Sequence, residues 1–124
     1  MAKIFVIDDN KEFLEIMELL LGTRHSVKKY NGFNNMVTDI LSFEPDLILL
    51  DHFLRSHTSK DVVEKLKEGI MDFSVPVILI SAMAHIEMHA KAINAVDYIA
   101  KPCGIDDIEN CVENVLSKYT VASH

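Results

Sequence analysis

The chain has few basic residues, and they form no cluster. Lysine and arginine total 12 against 19 acidic residues, which gives a formal net charge of -7. Because proteins neutralise nucleic-acid phosphates with clustered lysine and arginine, we expect no direct binding to nucleic acid. No segment is apolar over the length needed to cross a bilayer, and the N-terminal residues lack the pattern of a secretory signal. We therefore expect a cytoplasmic protein that does not bind membranes.

Cysteine is also scarce. The chain has only Cys103 and Cys111, whose spacing fits neither a CxxC motif nor a disulfide framework. We interpret both as reduced, partly buried side chains, and a catalytic thiol has little support. Internal repeats and low-complexity linkers are absent as well, and 124 residues with 49% hydrophobic content can build one core. We therefore expect one domain over residues 1–124.

Strand-like and helix-like segments alternate along the chain. Four short apolar runs and one weaker, mixed run, Val27–Tyr30, have the composition of strands, and apolar residues at helical spacing follow each of them. The five runs are Ile4–Ile7, Val27–Tyr30, Leu47–Leu50, Val77–Ile80 and Tyr98–Ala100. With right-handed crossovers, this alternation predicts an α/β fold with a doubly wound, five-stranded parallel sheet. We expect the flavodoxin-like strand order 2-1-3-4-5 and five helices.

Local signals predict where some helices begin and end. Asp9 or Asn10 can cap the first helix, and Gly22 can end it. Thr58 or Ser59 provides the polar start of the third helix. The residues between the third strand and this start are therefore predicted to form a loop.

Polar side chains follow four of the strand-like runs. In chain order they are Asp8 and Asp9, Asp51, Ser81 and Lys101. Because the carboxyl ends of parallel strands share one edge of the sheet, we expect these side chains to form one small site. Three carboxylates about 5 Å apart repel by about 3 kcal/mol per pair at an effective dielectric of about 20. A hard divalent cation removes this repulsion. Mg²⁺ fits best, with Mn²⁺ as the alternative, because such ions bind carboxylates and phosphoryl oxygens together.

The same residues predict phosphoryl chemistry. Lys101 can neutralise one phosphoryl oxygen, and the Ser81 hydroxyl can donate a hydrogen bond to another. Asp51 follows the predicted central strand, so it is best placed to become an aspartyl phosphate, while Asp8 and Asp9 hold the metal. A helix cap, a strand end or a solvated lysine explains each residue taken singly. Their joint placement after four strands supports the prediction.

These motifs resemble those of the response-regulator receiver domain, the phosphorylatable module of two-component signalling. The matching segments are Ile7–Asn10, Leu49–Asp51, Leu79–Ala82 and Asp97–Pro102, and the likeness extends from Lys3 to about Lys118. The resemblance implies a single-domain regulator of the chemotaxis type, spanning residues 1–124. It also implies that Asp51 receives a phosphoryl group from a histidine kinase or a histidine phosphotransfer protein. Such a domain is regulatory, and it catalyses only its own Mg²⁺-dependent phosphorylation and dephosphorylation.

The resemblance further implies a role for each residue of the site. The metal ligands are Asp8, Asp9, Asp51 and the backbone carbonyl of Phe53. The phosphate ligands are the Ser81 hydroxyl, the Ala82 backbone N–H and the Lys101 ammonium. Ser81 and Tyr98 form the switch that remodels the surface of helix four, strand five and helix five for a downstream protein target. A cis peptide bond is expected before Pro102.

Three other interpretations fit parts of the sequence. A flavodoxin-type FMN carrier shares the fold, but Asp8 and Asp9 would repel its phosphate. A phosphatase of the haloacid-dehalogenase type has its nucleophile after the first strand, in an Asp-x-Asp motif that this chain lacks. The third alternative is a degenerate receiver that acts as a phosphorylation-independent scaffold. It is suggested by the Arg55–Ser59 segment, which lacks the proline and glycine usual in the family.

Overall fold

A parallel sheet of five strands forms the centre of the fold in the computed structural model, which describes residues 2–32, 34–54 and 57–119. The strands, in chain order, are β1 Lys3–Ile7, β2 Ser26–Tyr30, β3 Leu47–Asp51, β4 Phe53–Leu54, β5 His57–Thr58, β6 Val77–Ser81 and β7 Asp97–Ala100. The sheet has the order β2-β1-β3-β6-β7 and is parallel throughout. When its five strands are counted alone, this is the order 2-1-3-4-5, so the predicted fold is confirmed.

Five helices cover the two faces of the sheet. They are α1 Lys11–Leu21, α2 Met36–Phe43, α3 Ser59–Gly69, α4 Ile86–Ala92 and α5 Ile105–Tyr119. Side chains alternate between the faces along each strand, because successive residues of a strand point in opposite directions. In β1, Ile4 and Val6 join the core with α1 and α5, whereas Phe5 and Ile7 join the core with α2, α3 and α4. The three central strands, β1, β3 and β6, are therefore apolar almost throughout, as expected for strands buried on both faces, whereas the edge strands β2 and β7 carry polar, more exposed residues.

The strand register brings the carboxyl ends of the central strands side by side. Ile7 at the end of β1 pairs with Leu50, and Asp51 at the end of β3 pairs with Ile80. Ser81 at the end of β6 pairs with Ala100 at the end of β7. The residues that follow these strands thus emerge at one edge of the sheet.

The segment after β3 is not simply a loop, and that part of the prediction was wrong. Strands β4 and β5 form a short antiparallel ribbon in which Phe53 pairs with Thr58 and Leu54 with His57. Arg55 and Ser56, which carry part of the departure from the family pattern, lie outside the described residues. Thr58 then caps α3 through a capping box with Asp61.

The ends of α1 match the predicted signals in part. Of the two candidate caps, Asn10 is the one used, since its side chain accepts a hydrogen bond from the Phe13 backbone N–H at 3.2 Å. Gly22 ends the helix, but its φ of -69° is right-handed, so the turn does not use the left-handed freedom of glycine. No helix in the described part of the chain is long and apolar enough to cross a membrane.

A buried histidine links the beginning of the sheet to the last helix. The Ala2 backbone N–H donates to His25 Nδ1 at 3.1 Å, and His25 Nε2 lies 2.7 Å from a Glu113 carboxylate oxygen. We expect His25→Ala to lower the free energy of unfolding by about 1 to 2 kcal/mol, because it leaves a partly buried donor without a partner. Urea unfolding measures this loss. Glu113→Gln keeps an acceptor and serves as the control, and an equal loss in both variants would contradict the expectation.

Candidate functional site

Three carboxylates meet at the carboxyl edge of the sheet. Asp8 and Asp9 follow β1, and Asp51 is the last residue of β3. Each offers an oxygen, and these oxygens all lie within 4.8 Å of one another. The structure therefore brings together the three acids that were predicted to share one site.

Asp8 is the most deeply placed of the three acids, with 1% of its surface exposed. One of its oxygens accepts a hydrogen bond from the Asn10 backbone N–H at 2.9 Å, and the other lies 3.4 Å from Lys101 Nζ. Burial raises the pKa of Asp8, and the Asn10 hydrogen bond and the Lys101 charge oppose this effect in part. These two contacts fix the orientation of the carboxylate.

Asp51 lies in an environment that disfavours its charge. Burial, together with the neighbouring charge of Asp8, raises the pKa of Asp51 from 3.8 to about 6. The Lys101 ammonium, 3.7 Å from an Asp51 oxygen, offsets part of this effect. At neutral pH the site therefore holds clustered negative charge that a bound cation would stabilise.

Lys101 reaches the acids from the residue after β7. Its backbone N–H donates to the Ser81 carbonyl at 2.9 Å, which fixes the start of the side chain at the sheet edge. The Lys101–Pro102 peptide bond is cis. The ammonium lies between Asp8 and Asp51 and also 4.3 Å from the centre of the Phe13 ring. No motif or spacing in the sequence had indicated that Phe13 belongs to the site.

Ser81 lies next to the end of β3. It is the last residue of β6 and is buried, and its hydroxyl accepts a hydrogen bond from the Met83 backbone N–H at 3.2 Å. Ala82 follows directly and is exposed. The hydroxyl of Ser81 and the backbone of Ala82 thus lie at the carboxyl end of the strand that pairs with β3.

Tyr98 lies farther from the acids, on the surface next to α4. Its side chain is 38% exposed, and its hydroxyl donates to a Glu87 carboxylate oxygen at 3.4 Å. The Glu87 charge raises the pKa of Tyr98. The phenol ring is therefore oriented outward, and it connects β7 with α4.

A pair of histidines lies beside the end of β3. His52, directly after Asp51, is buried, and its Nδ1 is hydrogen-bonded to the buried Ser59 hydroxyl at 2.7 Å. Its ring centre lies 4.6 Å from that of His89 on α4. Burial, followed by the nearby His89, lowers the pKa of His52. These contacts connect the end of β3 with α3 and α4, and no spacing in the sequence indicated them.

The acids fit a hard divalent cation. All three side-chain donors are carboxylates, the ligand type preferred by Mg²⁺ and Mn²⁺. Within residues 2–32, 34–54 and 57–119, no other group of three acidic, histidine or cysteine side chains comes together in this way. The backbone of Phe53 begins β4, two residues after Asp51, and its role as a further ligand stays a prediction.

The fold is a doubly wound α/β domain. Its site consists of an acidic pocket and a lysine at the carboxyl edge of the sheet. A family model described as the response regulator receiver domain matches residues 4–113. The chain belongs to this family. It is therefore a receiver domain of two-component signalling, and its acidic triad is typical of the Mg²⁺ site of receivers. The domain is regulatory rather than a classical enzyme.

Individual relatives agree with this assignment. Response regulator SaeR of Staphylococcus epidermidis is 24% identical over all of this chain and 54% of that protein. Sporulation initiation phosphotransferase F of Bacillus subtilis is 25% identical over 92% of this chain and 93% of that protein. The solved structure of a BeF3-activated DrrB receiver domain is 25% identical, with a TM-score of 0.75 over 94% of this chain and 98% of that chain. The chain spans about half the length of several curated relatives that it matches.

Proposed function

We propose that this domain is the phosphoacceptor of a two-component phosphorelay and that Asp51 is the residue phosphorylated. The observation that supports this most directly is the cluster of three carboxylate oxygens within 4.8 Å of one another, with Lys101 Nζ 3.4 and 3.7 Å from two of the acids. The donor is a histidine kinase or a histidine phosphotransfer protein. Residues 1–124 act as a single receiver domain of the chemotaxis type, and the match over 93% of sporulation initiation phosphotransferase F supports the single-domain organisation.

The chemical step is an in-line transfer to the carboxylate. An Asp51 oxygen forms a bond to phosphorus while the bond from phosphorus to the donor histidine nitrogen breaks, and the electron pair leaves with the imidazole. Asp8, Asp9, Asp51 and the Phe53 carbonyl would hold Mg²⁺, whose positive charge would lower the repulsion between the carboxylates and the phosphoryl oxygens. The product is an aspartyl phosphate on the chain.

Three other groups bind the phosphoryl oxygens. Lys101 supplies charge, Ser81 donates its hydroxyl hydrogen, and Ala82 donates its backbone N–H. Ser81 is suited to this role because its hydroxyl now accepts a weak 3.2 Å bond from Met83 and can turn toward a new acceptor.

The output is a change in the surface made by α4, β7 and α5. When Ser81 turns toward the phosphoryl group, space opens for Tyr98 to move inward, which breaks its 3.4 Å contact with Glu87. This is a population shift driven by contacts that exist only with the phosphate bound. A downstream protein that recognises this surface then distinguishes the two states.

Labelling at Asp51 tests the proposed function. We expect near-stoichiometric phosphorylation by acetyl phosphate with Mg²⁺, and none in Asp51→Asn, because the variant has no nucleophilic oxygen. We expect no phosphorylated fraction at all in Asp51→Asn, not merely a smaller one. Intact-protein mass spectrometry measures the 80 Da adduct and its site.

The matched control is Asp72→Asn, which makes the same chemical change at an exposed acid far from the pocket in sequence. Asp72 has a left-handed φ of 55°, a conformation that asparagine tolerates well. We expect labelling as in the wild type. No labelling of the wild type at saturating donor would instead favour the phosphorylation-independent scaffold.

A further inference from the structure

The ring of Phe13 packs against the Lys101 ammonium, which lies 4.3 Å from the ring centre. Phe13 lies in the first turn of α1, where its backbone N–H donates to the Asn10 side chain. The Asn10 backbone N–H in turn donates to Asp8. The start of α1, which carries the Phe13 ring, is therefore hydrogen-bonded to Asp8, and Lys101 contacts the same carboxylate.

The ammonium has partners on two sides. Asp8 and Asp51 attract it as anions at 3.4 and 3.7 Å, and the face of the Phe13 ring attracts it at 4.3 Å from the ring centre. The lysine side chain is only 26% exposed, so this cation–π contact is partly shielded from water. A long, flexible side chain held in this way has fewer positions available to it.

We propose that Phe13 is a positioning residue for phosphoryl transfer, whose ring holds the Lys101 ammonium where it meets a phosphoryl oxygen on Asp51. This inference rests on the proposed function. When the oxygen–phosphorus bond to Asp51 forms and the bond to the leaving group breaks, Lys101 keeps its protons and acts as a fixed positive charge. In this role the ring acts only through the lysine.

Variants at Phe13 separate the π face from simple packing. Phe13 is half-buried against the core that α1 and α5 share, and leucine fills similar space without a π face. At saturating Mg²⁺, we expect Phe13→Leu to lower the maximal labelling rate from acetyl phosphate by about 3- to 10-fold, the range of one cation–π contact. Phe13→Tyr restores the ring and recovers most of the rate. The half-saturating acetyl phosphate concentration changes little.

A double-mutant cycle with Lys101→Met tests whether the ring acts through the ammonium. Methionine keeps an unbranched apolar chain beside the ring but has no charge. We therefore expect Phe13→Leu to have no further effect on the rate in the Lys101→Met background. Phe43→Leu is the matched control, since it makes the same change at a partly buried ring in the opposite core, and it should leave the rate as in the wild type.

The labelling rates of these variants distinguish the positioning role of Phe13 from the proposed function. An unchanged rate in Phe13→Leu, or an equal loss in the Lys101→Met background, overturns the positioning role while labelling of the wild type at Asp51 upholds the proposed function. Failure of Phe13→Tyr to recover the rate also overturns it. If no variant and no wild-type protein is labelled, both proposals fail together. Urea unfolding of each variant identifies any loss of rate that comes from loss of fold.

Discussion

Asp51→Asn is expected to be more stable than the wild type at pH 7.5 without divalent metal, by about 2 kcal/mol in the free energy of unfolding. Burial and the charge of Asp8 raise the pKa of Asp51 from 3.8 to about 6. A shift of that size corresponds to at most about 3 kcal/mol, at 1.36 kcal/mol per pKa unit. The ionised carboxylate therefore opposes folding at pH 7.5, and the neutral amide removes that cost.

The pH dependence has a definite sign. The folded-state pKa of Asp51 lies above the unfolded value, so the folded protein binds more protons between about pH 4 and pH 6. The contribution of Asp51 to the stability of the wild type is thus greatest below about pH 4, and it is lost as the pH rises through about 6. The stability of Asp51→Asn does not decrease in this way as the pH rises, because the amide does not ionise. The raised pKa of Asp8 acts in the same direction and remains in the variant.

Urea unfolding at several pH values, with and without Mg²⁺, measures both effects. Mg²⁺ should stabilise the wild type, because it binds the folded state, and should stabilise Asp51→Asn much less, because one carboxylate ligand is gone. Asp72→Asn, at an exposed position, should follow the wild type throughout. A variant less stable than the wild type at pH 7.5 would show that Asp51 supports the fold, contrary to this account.

The positions of the polar residues at the strand ends could be predicted from the sequence, because one general rule of parallel sheets determines them. Parallel strands end at a common edge, so Asp8, Asp51, Ser81 and Lys101 came together once five strands and their order were inferred. The runs Ile4–Ile7, Leu47–Leu50 and Val77–Ile80 were short but continuously apolar, which is the pattern of strands buried on both faces. Sheet order and register then fixed the positions of the polar ends.

The contacts made by helices could not be predicted in this way. Phe13 meets Lys101, and His52 meets His89, only because α1 and α4 pack at particular depths and rotations against the sheet. Helical spacing shows which face of a helix is apolar, but it gives no information on which side chain meets a residue far along the chain. The β4–β5 ribbon has only two residues per strand, too short for an alternating pattern to indicate it.

Lys101→Met is expected to slow phosphorylation by about 100-fold while it makes Mg²⁺ bind more tightly, by about 5-fold. The rate falls because a fixed charge that stabilises a phosphoryl oxygen in the transition state is lost, and such groups contribute about 10²- to 10³-fold. The affinity rises because the ammonium, 3.4 Å from Asp8 and 3.7 Å from Asp51, repels a cation bound to the same acids.

The opposite signs of these effects make the prediction specific. A variant that merely disturbs the pocket would lose Mg²⁺ affinity and rate together, whereas loss of a positive charge from an acidic site strengthens cation binding. Calorimetric Mg²⁺ titration and acetyl phosphate labelling measure the two quantities on one sample. Lys60→Ala removes an exposed lysine on α3, 3.9 Å from Glu64, and should change neither. Weaker Mg²⁺ binding in Lys101→Met would mean that the lysine maintains the shape of the pocket, and its proposed role at the phosphoryl group would then lose its support.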